Sequence, residues 1–270
     1  MVKISFIAPT QLIEQFGNKG DFHLALAHLI GPVDEAPNEY EEKLIESNLP
    51  IFLDNGLFEN KVSIPVRELM EKAVHLNAEY VFAPDVLFDR AATEANIEEA
   101  FNVLEEIKQD FPESNTKLAA VVQADNAQDF LESYQVMAAD PRIQLIGLSI
   151  LSVPKCFREI SGTDDITINR IICMKRINKG ALRAPTHLLG LGDSYEDVAY
   201  ANEHCGWVVS HDSSSCVWNG VQGKKIDSKS LKVEGGKTKV HVDFNFSEEL
   251  TPEQVANIEH NIEVVKNIIK

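Results

Sequence analysis

The chain has little that would staple it together or anchor it. Its four cysteines, Cys156, Cys173, Cys205 and Cys216, are scattered through 270 residues with no CxxC pair. That spacing excludes a disulfide-dense secreted scaffold and a compact thiolate metal site, so reduced thiols in a cytoplasmic protein are expected. No apolar run approaches the roughly 20 residues of a membrane helix, and Met1-Val2-Lys3-Ile4-Ser5 opens a strand rather than a signal peptide. No membrane partner is expected. Positive charge is scarce as well: 25 Lys and Arg face 42 Asp and Glu, a formal net charge of −17, which leaves no broad basic surface for phosphate backbones.

Distribution qualifies that total. Acidic stretches such as Asn38-Glu39-Tyr40-Glu41-Glu42-Lys43 and Asn96-Ile97-Glu98-Glu99-Ala100 read as solvated helix faces. Lys224, Lys225, Lys229, Lys232, Lys237 and Lys239 instead crowd one stretch in which only Asp227 and Glu234 oppose them. That stretch reads either as a phosphate-facing surface or as a lysine-rich solvated loop. His187, His204, His211 and His241 form neither HxxxH nor HExxH, so no metal is expected and each reads as a satisfied core or surface histidine.

Short apolar runs alternate with amphipathic segments, the pattern of parallel strands joined by crossover helices. The runs are Ile4 to Ala8, Ile51 to Asp54, Tyr80 to Pro84, Leu118 to Gln123, Leu145 to Ile150, His187 to Leu191, Trp207 to Ser210 and Val240 to Phe244. Helical spacing recurs over Val66 to Leu76, Ala91 to Ile107, Ala127 to Ala138, Ile166 to Ile177 and Tyr195 to His204, and Leu24 to Ile30 reads as helical before Gly31-Pro32 breaks it. Thr251, Pro252 and Gln254 make a strong start for a last helix. Eight runs in a chain near the roughly 250 residues of such folds predict an α/β chain forming one (β/α)8 barrel of the TIM type. With no linker or repeat, residues 1–270 should form a single domain.

An open doubly wound sheet would use the same alternation, but gives no reason for polar residues after nearly every strand. Asp54-Asn55-Gly56, Asp85, Gln123-Ala124-Asp125, Ser149, Asp193 and His211-Asp212 all follow strand runs, and a barrel gathers them at one mouth. Carboxylates around such a mouth suit an oxocarbenium-like transition state: one attacks or stabilises the anomeric carbon while another moves protons. Asp54 and Asp212 are the best pair. Asn55-Gly56 lets the chain turn after Asp54, and Ser213-Ser214-Ser215 leaves room for a sugar beside Asp212, although either aspartate could instead cap a local turn. Asp85 can accept from a guanine-like base, Gln123 can donate and accept, and Gly147, before Leu148-Ser149, lets a flat ring approach the backbone. Gly190-Leu191-Gly192-Asp193 lacks the third glycine of a dinucleotide fingerprint and the lysine of a P-loop, so no nucleotide cofactor is expected there.

Taken in order, these segments resemble the tRNA-guanine transglycosylase superfamily, and most of all its phage-encoded branch that places 7-deazaguanines in DNA. The likeness runs from Ile51 to about Gly223. Leu53-Asp54-Asn55-Gly56 is similar to the family's Asp-Ser-Gly strand end, Val122-Gln123 to its Val-Gln-Gly strand, Ile146-Gly147-Leu148-Ser149 to its glycine-leucine strand, and His187-Leu188-Leu189-Gly190-Leu191-Gly192 to its Leu-Met-Gly-Val-Gly segment. The resemblance implies Asp212 as nucleophile and Asp54 as general acid/base. It also implies a base pocket built from Asp85, Gln123, Gly147, Leu148, Asn55 and Gly56. Two departures stand out: Asn55 and Leu57 replace small residues, and the Cys-x-Cys-x-x-Cys plus His zinc subdomain of tRNA-acting members is missing.

The expected activity is therefore exchange of guanine in DNA for a free 7-deazaguanine such as preQ0, through a glycosyl-aspartate ester and without a cofactor. Lys224, Lys225 and Lys229 would grip the nucleic-acid backbone, and a phage-encoded enzyme would act in the host cytoplasm. The family often pairs barrels, so an oligomer is compatible. Three alternatives stay open: the same chemistry on tRNA, a non-catalytic nucleic-acid-binding barrel subunit, and an unrelated barrel enzyme acting on a small sugar or acid.

Overall fold

A computed structural model describes residues 1–270, except for the side chains of Glu59 and Asn60. Eight strands form one parallel sheet: β1 (Lys3–Phe6), β2 (His23–Leu26), β3 (Ile51–Asp54), β4 (Tyr80–Phe82), β5 (Lys117–Val121), β6 (Ile143–Ser149), β7 (Thr186–Leu189) and β8 (Val208–Ser213). Their order is β1-β8-β7-β6-β5-β4-β3-β2, so the sheet curls into a nearly closed (β/α)8 barrel of the TIM type. Side chains bridge the seam between β1 and β2. Asp21 accepts from Ile4 N–H at 2.8 Å and the Ser5 hydroxyl accepts from Leu24 N–H at 2.9 Å.

The helices are α1 (Glu39–Glu46), α2 (Leu57–Asn60), α3 (Val66–His75), α4 (Arg90–Asp110), α5 (Ala127–Ala139), α6 (Ser152–Ser161), α7 (Ile166–Ile177), α8 (Glu196–His204), α9 (Ser215–Val221) and α10 (Pro252–Ile268). Local chemistry sets several starts: Asp89, Asn126 and Asp165 cap α4, α5 and α7 with side-chain oxygens. The capping box of Thr251 and Gln254 opens α10 as the sequence predicts. That helix lies across α9, where a Cβ on Gly220 would come within 2.8 Å of the Ile258 Cα.

Alternation along the strands divides two apolar layers. Phe22, Leu24, Phe52, Phe82, Ala119, Val121 and Leu145 fill the barrel interior, with Phe22 stacked on Phe52 at a centroid distance of 4.2 Å. Leu53, Val81, Ala120, Ile146, Leu148 and Leu188 belong to the layer shared with the helices. No helix among the described residues is long and apolar enough to cross a membrane.

Two expected elements change. Leu24 to Ile30 does not form a helix: His23–Leu26 pairs with Ile51–Asp54 as β2, and only a short 3-10 turn follows. An apolar run this short fits either period, and backbone pairing at the barrel edge decides it. Val240 to Phe244 is not the eighth strand. With β2 in the sheet its place is taken, and the segment runs over the mouth instead. It is held there by Trp218 Nε1, which donates to the Val240 carbonyl at 2.9 Å, and by Thr10 N–H, which donates to the Phe244 carbonyl at 3.1 Å.

Candidate functional site

The carboxyl ends of the strands open into a cavity of about 810 Å³ whose walls include Asp54, Asn55, Asp85, Ser149, Gly190, Asp212 and Ser213. A volume of this order suits a nucleoside-sized ligand. The strap 237–244 supplies Lys237, Thr238, Val240, His241, Val242 and Phe244 to the same walls.

Asp212 is held from β7 and from the turn that follows it. It follows Ser210 by two positions on β8, so both side chains turn inward while His211 faces the helices, its ring edge-on to Tyr195. His187 on β7 reaches Asp212 Oδ1 through Nε2 at 2.8 Å, and its Nδ1 meets the Ser210 hydroxyl at 2.8 Å. An ionised carboxylate requires a donor, so Nε2 carries a proton, and the Ser210 hydroxyl, which can donate or accept, fixes the ring at Nδ1. Gly190 N–H adds a second donor to Oδ1 at 3.1 Å. Burial opposes ionisation of Asp212, but the His187 hydrogen bond, with that from Gly190 N–H, outweighs it and holds the carboxyl below its ordinary value. Oδ2 has no hydrogen-bond partner in the chain among the described residues.

Gly190 reaches Asp212 because its backbone is left-handed, with φ of +69°, and because a Cβ there would press on Ile150. A buried arginine fixes the turn. Arg170 Nη1 donates to the carbonyls of Leu189 and Gly190 at 3.0 and 2.9 Å, while its Nε donates to Asp197 at 2.6 Å. Lys237 Nζ donates to the next carbonyl, Leu191, at 2.5 Å. Burial pulls the Lys237 ammonium down to about 8, partly countered by Asp193.

Across the cavity, Asp54 ends β3 and accepts from Gly56 N–H at 3.0 Å. The turn-capping and rim-lining readings of Asp54 therefore hold together. Asn55 donates to Asp85 Oδ1 at 2.7 Å and to the Ala83 carbonyl at 3.0 Å. Gln123 Nε2 donates to the other Asp85 oxygen, and Gln123 Oε1 accepts from Phe88 N–H at 3.0 Å. Burial pushes the Asp85 carboxyl up to about 6 against those two amide donors.

Other expected site residues stand elsewhere. Gln123 lies behind Asp85, and Gly56 supports the Asp54 turn; neither is part of the cavity wall. Gly147 faces inward but is covered by Leu189, Val121 and Phe82, and Leu148 packs in the outer layer. Lys224, Lys225 and Lys229 also lie off the wall. Lys224 Nζ donates to the Gly236 carbonyl at 2.6 Å, and Lys225 and Lys229 are exposed on the turn closed by Ile226 and Val233. Sequence reasoning took His187 only as a satisfied histidine and Lys237 only as one lysine of the 224–239 stretch, and it missed the strap. A histidine inside an otherwise apolar strand run was the available signal for His187.

The buried imidazoles set an acid limit on stability. Burial drops His211 to about 3 and His23 to about 4, so both are neutral in the fold and their contribution is present above the unfolded value near 6.5. It is lost as pH falls through that window. Asp85, raised to about 6, acts in the opposite sense and favours the fold as it protonates. Below the unfolded histidine value the unfolded chain holds histidine protons that the fold at His23 and His211 excludes, so these two sites make stability fall as pH falls, with Asp85 offsetting part of it. Urea midpoints should fall from pH 7 to pH 5; an unchanged midpoint would contradict buried neutral histidines.

Neither the protein-family models nor the curated proteins compared with this chain match it.

Proposed function

We propose that the protein is a nucleic-acid guanine transglycosylase of the tRNA-guanine transglycosylase type, acting on DNA. The observation that carries this reading is Asp212: a buried carboxylate kept ionised by His187 and Gly190, with one oxygen unpartnered, in the same cavity as Asp54. Asp212 Oδ2 attacks C1′ of a guanosine unit; the C1′–O bond forms as the bond from C1′ to the base nitrogen breaks, and that electron pair leaves with guanine. Asp54 protonates the departing base. The second half runs in reverse: Asp54 takes a proton from the incoming 7-deazaguanine, its nitrogen attacks C1′, and the ester to Asp212 opens with retention.

His187 and Gly190 N–H serve both halves, because two donors on Oδ1 stabilise the carboxylate when it leaves. Asp85, braced by Asn55 and Gln123, presents an acceptor for the amino and N1–H edge of the base. A base in duplex must first flip out at a cost of a few kcal/mol.

The test supplies labelled guanine, or preQ0, with DNA or tRNA, followed by nucleoside mass spectrometry. Label is expected in DNA. Uptake into tRNA alone would replace the substrate, and uptake into neither polymer would remove the reading.

A further inference from the structure

Asp212 lies near the end of β8 and Asp54 ends β3; between them the barrel runs through β1 and β2, with Ser5 opposite Asp212 and Leu26 opposite Asp54. The cavity wall supplied by these two strands and the turns after them is Ile7, Leu24, Leu26 and His28. With the base edge on Asp85, on the β4 side, this remaining side of the mouth falls to the sugar. Ile7, Leu24 and Leu26 suit the C–H face of a sugar ring. Its oxygens have only the His28 side chain to meet on this stretch, among the described residues.

The turn that carries His28 is held from both sides. Lys72 on α3, itself buried, donates through Nζ to the carbonyls of Ala27 and Ile30 at 3.4 and 3.0 Å, and pairs with Glu68 at 2.9 Å. From the strap, the Phe244 ring meets the His28 ring nearly edge-on at a centroid distance of 5.9 Å. Burial and the Lys72 charge hold the imidazole below its ordinary value, so the ring is neutral at pH 7 and has one N–H to give. Nδ1 is sealed within the chain and has no hydrogen-bond partner. An enclosed N–H without an acceptor is rarely tolerated, which puts the proton on Nε2. No acceptor among the described residues takes that proton.

We propose that His28 is the sugar-binding residue of the site: Nε2–H donates to the 3′-oxygen of a deoxynucleoside unit whose ring carbons pack on Ile7, Leu24 and Leu26. The assignment rests on the transglycosylase reading, which puts the sugar between Asp212 and Asp54.

Calorimetry on the full-length protein compares guanine, guanosine, 2′-deoxyguanosine and 2′,3′-dideoxyguanosine in wild type, His28→Leu, His28→Gln and His28→Asn. His28→Leu should weaken 2′-deoxyguanosine about tenfold, as loss of one enclosed hydrogen bond implies. Guanine and 2′,3′-dideoxyguanosine lack the oxygen and should bind as they do to wild type, which also shows that the cavity is intact. A glutamine amide reaches about as far as Nε2 and should recover most of the loss; an asparagine amide reaches only as far as Nδ1 and should not. No loss in His28→Leu, or an equal loss for all four ligands, would overturn the contact. A loss seen with guanosine and not with 2′-deoxyguanosine would overturn the 3′ assignment in favour of the 2′-hydroxyl and an RNA substrate. A wild type that binds none of the four would remove the sugar contact along with the transglycosylase. Sugar-dependent binding that needs His28, in a protein that incorporates no labelled base, would keep the contact and dismiss the base exchange.

Discussion

Asp212→Asn is expected to lower base exchange by about four to six orders of magnitude, as removal of a covalent nucleophile does elsewhere. It should also abolish any denaturant-stable adduct with guanine-containing DNA. The variant keeps the carboxyl's shape and an oxygen that can still accept from His187 Nε2 and Gly190 N–H. It removes the charge that burial works against, so the barrel should fold, and circular dichroism would separate lost chemistry from lost structure. An adduct formed by this variant would assign the nucleophile to another residue.

Asp54→Asn should slow exchange by about two to four orders of magnitude, the usual worth of a positioned proton donor. An asparagine oxygen can still accept from Gly56 N–H, so the turn after β3 need not collapse. The sharper readout is leaving-group dependence. N7-methylated guanosine already carries a positive charge and departs without a proton, so the variant should release 7-methylguanine close to the wild-type rate while failing on guanine. Equal defects on both substrates would make Asp54 a structural residue. Wild-type exchange of guanine would remove it from the mechanism.

The two carboxylates were legible because each ends a strand, and strand ends converge in a barrel. Asn55 and Asp85 were legible as polar residues at the same mouth, but their mutual bond depends on neighbouring strands β3 and β4. His187 was not. Its role depends on β7 lying beside β8, with His187 opposite Ser210, and nothing within the segment His187 to Leu191 states which strand is adjacent. The lysines show the converse error: a local crowd of charge attracted a function, whereas only Lys237 reaches the cavity wall among those named with Lys224, Lys225 and Lys229.

The sequence alone determined the alternation of strands and helices that points to an α/β barrel, the caps that start α10, and the position of Asp54 and Asp212 at strand ends. Those features follow from periodicity and local hydrogen bonding, which act over a few residues. Tertiary structure alone decided that His23–Leu26 is a strand, that Val240 to Phe244 is a strap, and that Asp212 is held by His187 and Gly190. Each of those depends on which distant backbone completes a pairing or a hydrogen bond, and that information resides in the closed sheet.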